Sequence, residues 1–247
     1  MAELDPDLLL RAYSVGVFPM ANSRDTEDVF WVEPKNRGVL PLNRFHLSRS
    51  LAKTLRSGRF TTTADRAFGR IVAMCAQPTP VRPDTWINPQ IELAYGELHA
   101  RGYAHSIETW EGDPAEGNLV GGLYGVRLGA AFFGESMFSR ATDASKVALA
   151  HLVARLKVGG FKLLDCQFQT DHLASLGAIE IGRADYVVLL DAALGLGSGV
   201  SAEGFVAAGS ADFFALDRGA PGEDPATTVA GPVSACRIVQ LLGQTSQ

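Results

Sequence analysis

Three polar residues, Glu135, Asp165 and Gln167, interrupt runs that otherwise read as buried: FFGESMFS carries the first and LLDCQFQTDHLASLGA the other two. A carboxylate removed from water is costly unless a partner or a reaction uses it, so the stretch from Phe132 to Leu176 is the first candidate for a site. Alternate residues of a strand share a face, which sends Asp165 and Gln167 to one spot and Cys166 to the other side. Side chains of these types can orient a polar substrate and move a proton. The competing reading is structural, with Glu135 and Asp165 capping helices or pairing with Arg140 and Lys146.

Other chemistries fit less well. A thiolate nucleophile would need Cys166 beside His172 and Asp171, and strand alternation separates them. GESMF lacks the second glycine of a serine nucleophile elbow, because Phe138 stands there. His46, His99, His105, His151 and His172 form no HExxH or Cys/His cluster, so no metal site is indicated. LVGGLYG matches neither phosphate-loop pattern, and the glycine signature of an acetyl-coenzyme A helix is missing.

The elements that must carry these residues are legible. Asp5 and Pro6 cap a first helix with Leu9, Ala12 and Tyr13 on one face and Gly16 as its stop. Asn88 and Pro89 open another, with Ile91, Ala94, Tyr95 and Leu98 inward and Gly102 ending it. AHSIETWEG, NLVGGLYGVRLG and AAFFGESMF read as strands, the last two a hairpin around Gly129. A helix from about Asp143 buries Leu149, Leu152, Val153 and Leu156, ends at Gly159 and Gly160, and leads into the strand FKLLDCQF. Helices alternating with strands and hairpins predict an α/β (α+β) fold with a mixed sheet. The expected division is a small basic N-terminal domain over 1–60, the mixed-sheet domain over 61–190, and a Gly/Ala-rich linker with an amphipathic C-terminal tail over 191–247.

No apolar run approaches the roughly 20 residues that span a bilayer, and the N-terminus lacks a basic leader, so a cytoplasmic protein without membrane contact is expected. Cys75, Cys166 and Cys236 are an odd number, far apart and without a CxxC pair, so neither a disulfide framework nor a zinc site is indicated. The net charge of -5 hides an asymmetry: Lys35 to Ala64 holds seven Lys and Arg and no acid. Arg49, Lys53 and Arg56 share one face of a helix there, while Leu47, Leu51 and Leu55 take another. Such a run is a phosphate-binding footprint inside an acidic protein, or else a solvated helix face.

In order, YSVGVFPM, FHLSRSL, TWI, AHSIETW, LVGGLYGV, FFGESMFS, ASK, DCQ and HLASLGA make the chain resemble the leucyl/phenylalanyl-tRNA-protein transferases from Leu8 to about Tyr186. The resemblance implies a small N-terminal domain joined to a GNAT-like acetyltransferase-type domain. It implies transfer of Leu, Phe or, less readily, Met from Leu-tRNA, Phe-tRNA or Met-tRNA to proteins beginning with Arg or Lys, marking them for N-degron proteolysis. It carries the catalytic acid and amide onto Asp165 and Gln167, and the aminoacyl site onto Glu135 with Leu123, Phe132, Met137, Leu152 and Leu156. Related sequences place Met or Phe where Leu123, Leu152 and Leu156 stand. Trp31 and Trp86 match tryptophans at the 3′ adenosine or acceptor entrance, with FWVEP in place of WWSP. Arg44, Arg49, Lys53, Arg56 and Arg59 would hold tRNA phosphates.

An aminoacyl ester is activated, so neither a cofactor nor a metal is expected, and placing an amine against a carbonyl is the main task. An α-amine with a pKa of about 7.7 to 8.0 is already partly neutral at pH 7. Asp165 then either deprotonates the acceptor amine or positions it electrostatically, while Gln167 holds the ester or amine and Glu135 anchors the aminoacyl ammonium. A monomer is expected. A transferase acting on a cell-wall amine and a non-catalytic RNA-binding module are the alternatives.

Overall fold

The computed structural model describes residues 4–79, 83–195, 211–218 and 233–243. Helix α1 (Pro6–Ser14) starts where Asp5 accepts the Asp7 N–H at 2.9 Å and stops before Gly16, whose φ of +80° suits glycine. A two-stranded ribbon, β1 (Phe18–Met20) and β2 (Phe30–Val32), follows. Next come β3 (Asn36–Val39), α2 (Arg49–Arg56), β4 (Phe60–Ala64) and α3 (Phe68–Cys75). Asn88 caps α4 (Pro89–Ala100) through the Ile91 N–H at 2.9 Å.

Strands β5 (Ala104–Glu111), β6 (Asn118–Leu128) and β7 (Ala131–Ser139) continue from β4 as an antiparallel meander. Helix α5 (Ala144–Val158) crosses over to β8 (Leu163–Gln167), which runs parallel to β7. The short α6 (Asp171–Ser175), β9 (Ile179–Gly182) and α7 (Arg183–Leu194) complete the continuous part, and α8 (Ala235–Gly243) lies near the C-terminus. The seven-stranded sheet has the order β4-β5-β6-β7-β8-β3-β9, the mixed α/β architecture expected. Among the described residues no helix is long and apolar enough to cross a membrane.

Each face of the sheet carries a core. Tyr13, Ile71, Tyr95 and Leu190, from α1, α3, α4 and α7, fill one; Leu51, Leu152 and Ile238, from α2, α5 and α8, fill the other. Helix α5 departs from the one-sided stripe expected of it. It is buried from Ala144 through Arg155 and Leu156 apart from Lys146, because the sheet covers one side and α2, α8 and residues 211–218 cover the rest.

Residues expected in a separate basic domain over 1–60 enter the main fold: β3 is an interior strand between β8 and β9, and Leu51 and Leu55 join the α5 core. The limit at 190 falls inside α7. Of the expected linker, 196–210 and 219–232 lie outside the described residues. Residues 211–218 pack inward, Phe213 at 2% exposure and Asp217 paired with Arg155, while the amphipathic helix expected in the tail is α8.

Candidate active site

Past Phe133 and Asp165, where the pairing of β7 with β8 ends, a cavity of about 330 Å³ opens between the sheet and α5. Its wall is apolar, formed by Leu123 on β6, Met137 on β7, Leu149 and Leu152 on α5 and Leu164 on β8. Glu135 and Gln167 supply the polar end, and Met20, Trp86, Phe168 and His172 also line it. An apolar cleft with a few convergent polar groups is the usual form of a small-ligand site.

Glu135 is held by three donors. Tyr13 Oη donates to Oε1 at 2.7 Å, Tyr95 Oη to Oε2 at 2.9 Å, and Gln167 Nε2 to Oε2 at 2.9 Å. Burial pushes its carboxyl up from 4.5 to about 7, against the pull of those donors. Tyr13 and Tyr95 are pushed well above their usual range by burial and by Glu135, so both remain protonated donors. Their hydroxyls also meet each other at 2.5 Å. Two hydroxyl protons cannot fill all three oxygen contacts of this triangle; a proton on Glu135 completes it.

A carboxyl whose pKa is higher folded than unfolded favours folding while protonated, and here that contribution is full below 4.5 and lost as pH rises through about 7. Thermal melts of the parent and of Glu135→Gln should therefore diverge with pH. The variant should gain on the parent by about 3 kcal/mol between about pH 5 and about pH 8, and parallel curves would contradict the burial argument.

Asp165 is fully buried and is not part of the cavity wall. Arg37 Nε donates to its Oδ1 and Oδ2 at 2.9 and 3.0 Å and Nη2 to Oδ2 at 2.6 Å, while Tyr186 Oη reaches Oδ2 at 2.8 Å. The Gln167 N–H occupies Oδ1 at 2.7 Å. The structural partners considered from sequence, Arg140 and Lys146, are engaged elsewhere, with Gln77 and Asp143.

The strand alternation expected of DCQ does not hold. Gln167 has φ +60°, so the chain turns at the end of β8, and Cys166 and Gln167 both line the cavity while Asp165 lies behind it. Cys166 thus faces the site, contrary to expectation. Burial and Asp165 push its thiol far up, and among the described residues no hydrogen bond joins it to His172, so the thiolate route stays closed.

Leu123, Met137, Leu152, Glu135 and Trp86 line the cavity. Phe132 and Leu156 do not: Phe132 sits earlier on β7, stacked on Phe213 with centroids 5.8 Å apart, and Leu156 is one helical turn beyond Leu152. Trp31 is 39% exposed on β2, outside the lining. Arg44, Arg49, Lys53, Arg56 and Arg59 are all exposed, with Arg59 paired to Glu111 at 2.8 Å. Sequence reasoning missed Arg37, Tyr186 and Phe168. It read Tyr13 and Tyr95 only as core, although a buried tyrosine hydroxyl needs a partner and so hints at one.

A parallel β7–β8 pair on an otherwise antiparallel sheet, with an apolar cavity beside it, defines a mixed α/β protein with a small-ligand cleft. The family model described as leucyl/phenylalanyl-tRNA protein transferase matches residues 39–191, and that of its N-terminal domain matches residues 2–35. The leucyl/phenylalanyl-tRNA–protein transferase of Rhizorhabdus wittichii is 69% identical, covering 100% of both chains. Those of Zymomonas mobilis and Afipia carboxidovorans are 65% and 52% identical, over 77% and 93% of this chain and 70% and 95% of theirs. Among solved structures, FemX matches loosely, with a TM-score of 0.46 at 11% identity over 71% of this chain and 66% of that one. The chain belongs to the leucyl/phenylalanyl-tRNA protein transferase family. It is an aminoacyltransferase, acting on aminoacyl-tRNA and a protein acceptor.

Proposed function

We propose that the protein transfers Leu, Phe and, less readily, Met from their tRNAs to proteins beginning with Arg or Lys, and that the cavity holds the aminoacyl group. One observation carries this reading: an apolar cavity of about 330 Å³ whose polar end is a buried carboxylate suits an amino acid with an apolar side chain and a free ammonium. The side chain fills the space between Leu123, Met137 and Leu152, and the ammonium lies against Glu135.

The ester carbonyl then stands near Gln167, which orients it for the acceptor amine. The amine nitrogen bonds to the carbonyl carbon, the ester C–O bond breaks, and the tRNA leaves with its 3′ hydroxyl restored. The proton lost by the amine balances the one gained by that hydroxyl. Of the two roles open to Asp165, positioning is the better supported, because its oxygens are occupied and it lies off the cavity wall. Alignment of an activated ester and an amine supplies most of the acceleration.

Trp86, on the cavity wall, and Trp31 are assigned to the 3′ adenosine and acceptor entrance. The exposed cations of α2, with Arg44 and Arg59, are assigned to the acceptor-stem phosphates. Neutralising Arg49, Lys53 and Arg56 together should weaken tRNA binding and flatten the slope of log affinity against log salt by about 2 to 3. An unchanged slope would remove the assignment.

The reading is tested by offering a peptide that starts with Arg together with Leu-, Phe-, Met-, Ser- or Asp-tRNA and detecting the extended peptide by mass spectrometry. Leu, Phe and Met should add with rates within about 200-fold of one another, since a methylene discriminates weakly in an apolar pocket. Ser and Asp should be rejected, and their efficient transfer would contradict the assignment of the cavity.

A further inference from the structure

Of the seven cations between Lys35 and Ala64, Arg37 alone is buried, at 1% exposure; the other six are exposed. Its guanidinium is fixed on every side. Besides Asp165, it donates through Nη1 to the Gly16 carbonyl at 2.9 Å, and it is sandwiched between the rings of Phe18 and Tyr186 at 4.7 and 4.6 Å. Such a fork cannot swing out to a phosphate without stranding the Asp165 carboxylate.

What Arg37 holds is one step removed from the cavity. Asp165 Oδ1 takes the Gln167 N–H at 2.7 Å, and Gln167 has φ +60°, a conformation that a side chain disfavours and that its surroundings must impose. The opposite wall of the turn belongs to the residue after Arg37. Gly38 pairs with Gln167 across β3 and β8, and a Cβ there would stand 2.8 Å from the Gln169 nitrogen. The segment Arg37–Gly38 thus grips the turn by charge and by close backbone approach, and the turn delivers the Gln167 amide to Glu135 at 2.9 Å.

We propose that Arg37 is a positioning residue for the transfer reaction: it fixes Asp165, Asp165 fixes the Gln167 peptide, and the Gln167 amide is thereby held at the polar end of the cavity. The inference rests on the aminoacyl-transfer reading, which gives Gln167 its task. Arg37 touches no substrate, so its removal should act on the chemical step and leave the donor's apolar wall and the cationic helix intact.

The test compares the parent with Arg37→Met and with the double variant Arg37→Met/Asp165→Asn. The single variant leaves a buried carboxylate without its cation. The double variant removes both charges, while the introduced side-chain amide keeps an oxygen that can accept the Gln167 N–H. For Arg37→Met, kcat should fall by about 100-fold or more, the scale of a small misplacement, with KM for Leu-tRNA within about threefold of the parent. The double variant should recover about tenfold or more over the single one. A merely structural role would lower the melting temperature without this split between kcat and KM and without recovery.

Amide hydrogen exchange at Gln167, measured in the same proteins without substrate, reads the turn directly. It should be slow in the parent, about tenfold faster in Arg37→Met and slow again in the double variant, with β6 unchanged throughout. Equal exchange at Gln167 in parent and Arg37→Met would overturn the proposal whatever the substrates prove to be. So would a folded Arg37→Met enzyme with parental kcat. A parent that exchanges slowly at Gln167 but transfers nothing to an Arg-starting peptide would overturn the functional reading, and with it the role assigned to Arg37 in transfer.

Discussion

Glu135→Gln is expected to lower kcat/KM for Leu-tRNA by about 10²- to 10³-fold, because removing one charge of a buried pair costs about 2 to 5 kcal/mol. The substitution preserves shape, and Tyr13 and Tyr95 can rotate their hydroxyls to meet an amide, so the fold should survive. What is lost is the charge that meets the aminoacyl ammonium. The pH dependence provides the distinguishing readout. In the free enzyme the Glu135 carboxyl is pushed up to about 7, so kcat/KM for the donor should rise as pH rises through that value and fall again above about 7.7 to 8.0, where the donor ammonium loses its proton. The rising limb should vanish in Glu135→Gln. Stability moves the opposite way over the same range, since ionising the buried carboxyl costs folding energy while creating the form that binds. A variant with parental kcat/KM and an unchanged limb would show that Glu135 is not the ammonium anchor.

Gln167→Ala should reduce kcat by about 100-fold or more while changing KM little, since its amide orients a reacting group and does not form the apolar wall. Gln167→Glu is the more informative companion. It would bring a second carboxylate to where the present amide nitrogen stands 2.9 Å from Glu135 Oε2. Two carboxylates at that distance share a proton, so the pair should titrate with one pKa raised further. The rising limb of the donor kcat/KM profile should move up by about one unit or more. Steady-state profiles across neutral pH would check this. A limb fixed at its parental position would mean that the two side chains are not in contact during turnover.

Much of the scaffold was legible because its signals are local. Asp5, Pro6, Asn88, Pro89, Gly102 and Gly129 mark the ends of elements through capping and turn chemistry, and the structure puts helix or strand limits beside each. Glu135 stood out because a carboxylate within an apolar strand has few structural explanations. Other features depend on distant parts of the chain. Strand β3 is four residues long and is a strand only because β8 and β9 flank it. Arg37 sits in that strand within a run of exposed cations, and nothing local separates it from Arg44 or Arg49. Its partner lies 128 positions away.

The reversal at Gln167 was hidden for the same reason. Alternation is a rule for regular strands, and here Asp165 binds the backbone two residues on and ends the regularity. The resemblance carried Phe132 and Leu156 onto the apolar pocket, whereas both are fully buried outside the cavity wall, and apolar character alone does not tell a cavity face from the core behind it. Phe132 packs against Phe213, from a segment whose sequence reads as linker.

The most direct measurement of the central claim incubates the purified protein with radiolabelled Leu-tRNA and a model protein beginning with Arg, beside the same protein beginning with Met, and counts label in protein. Label that appears only with the Arg start, at an initial rate that falls by about 10²-fold or more with Glu135→Gln, is the expected result. Equal labelling of both acceptors, or none of the Arg-starting protein while Leu-tRNA is bound, would contradict it.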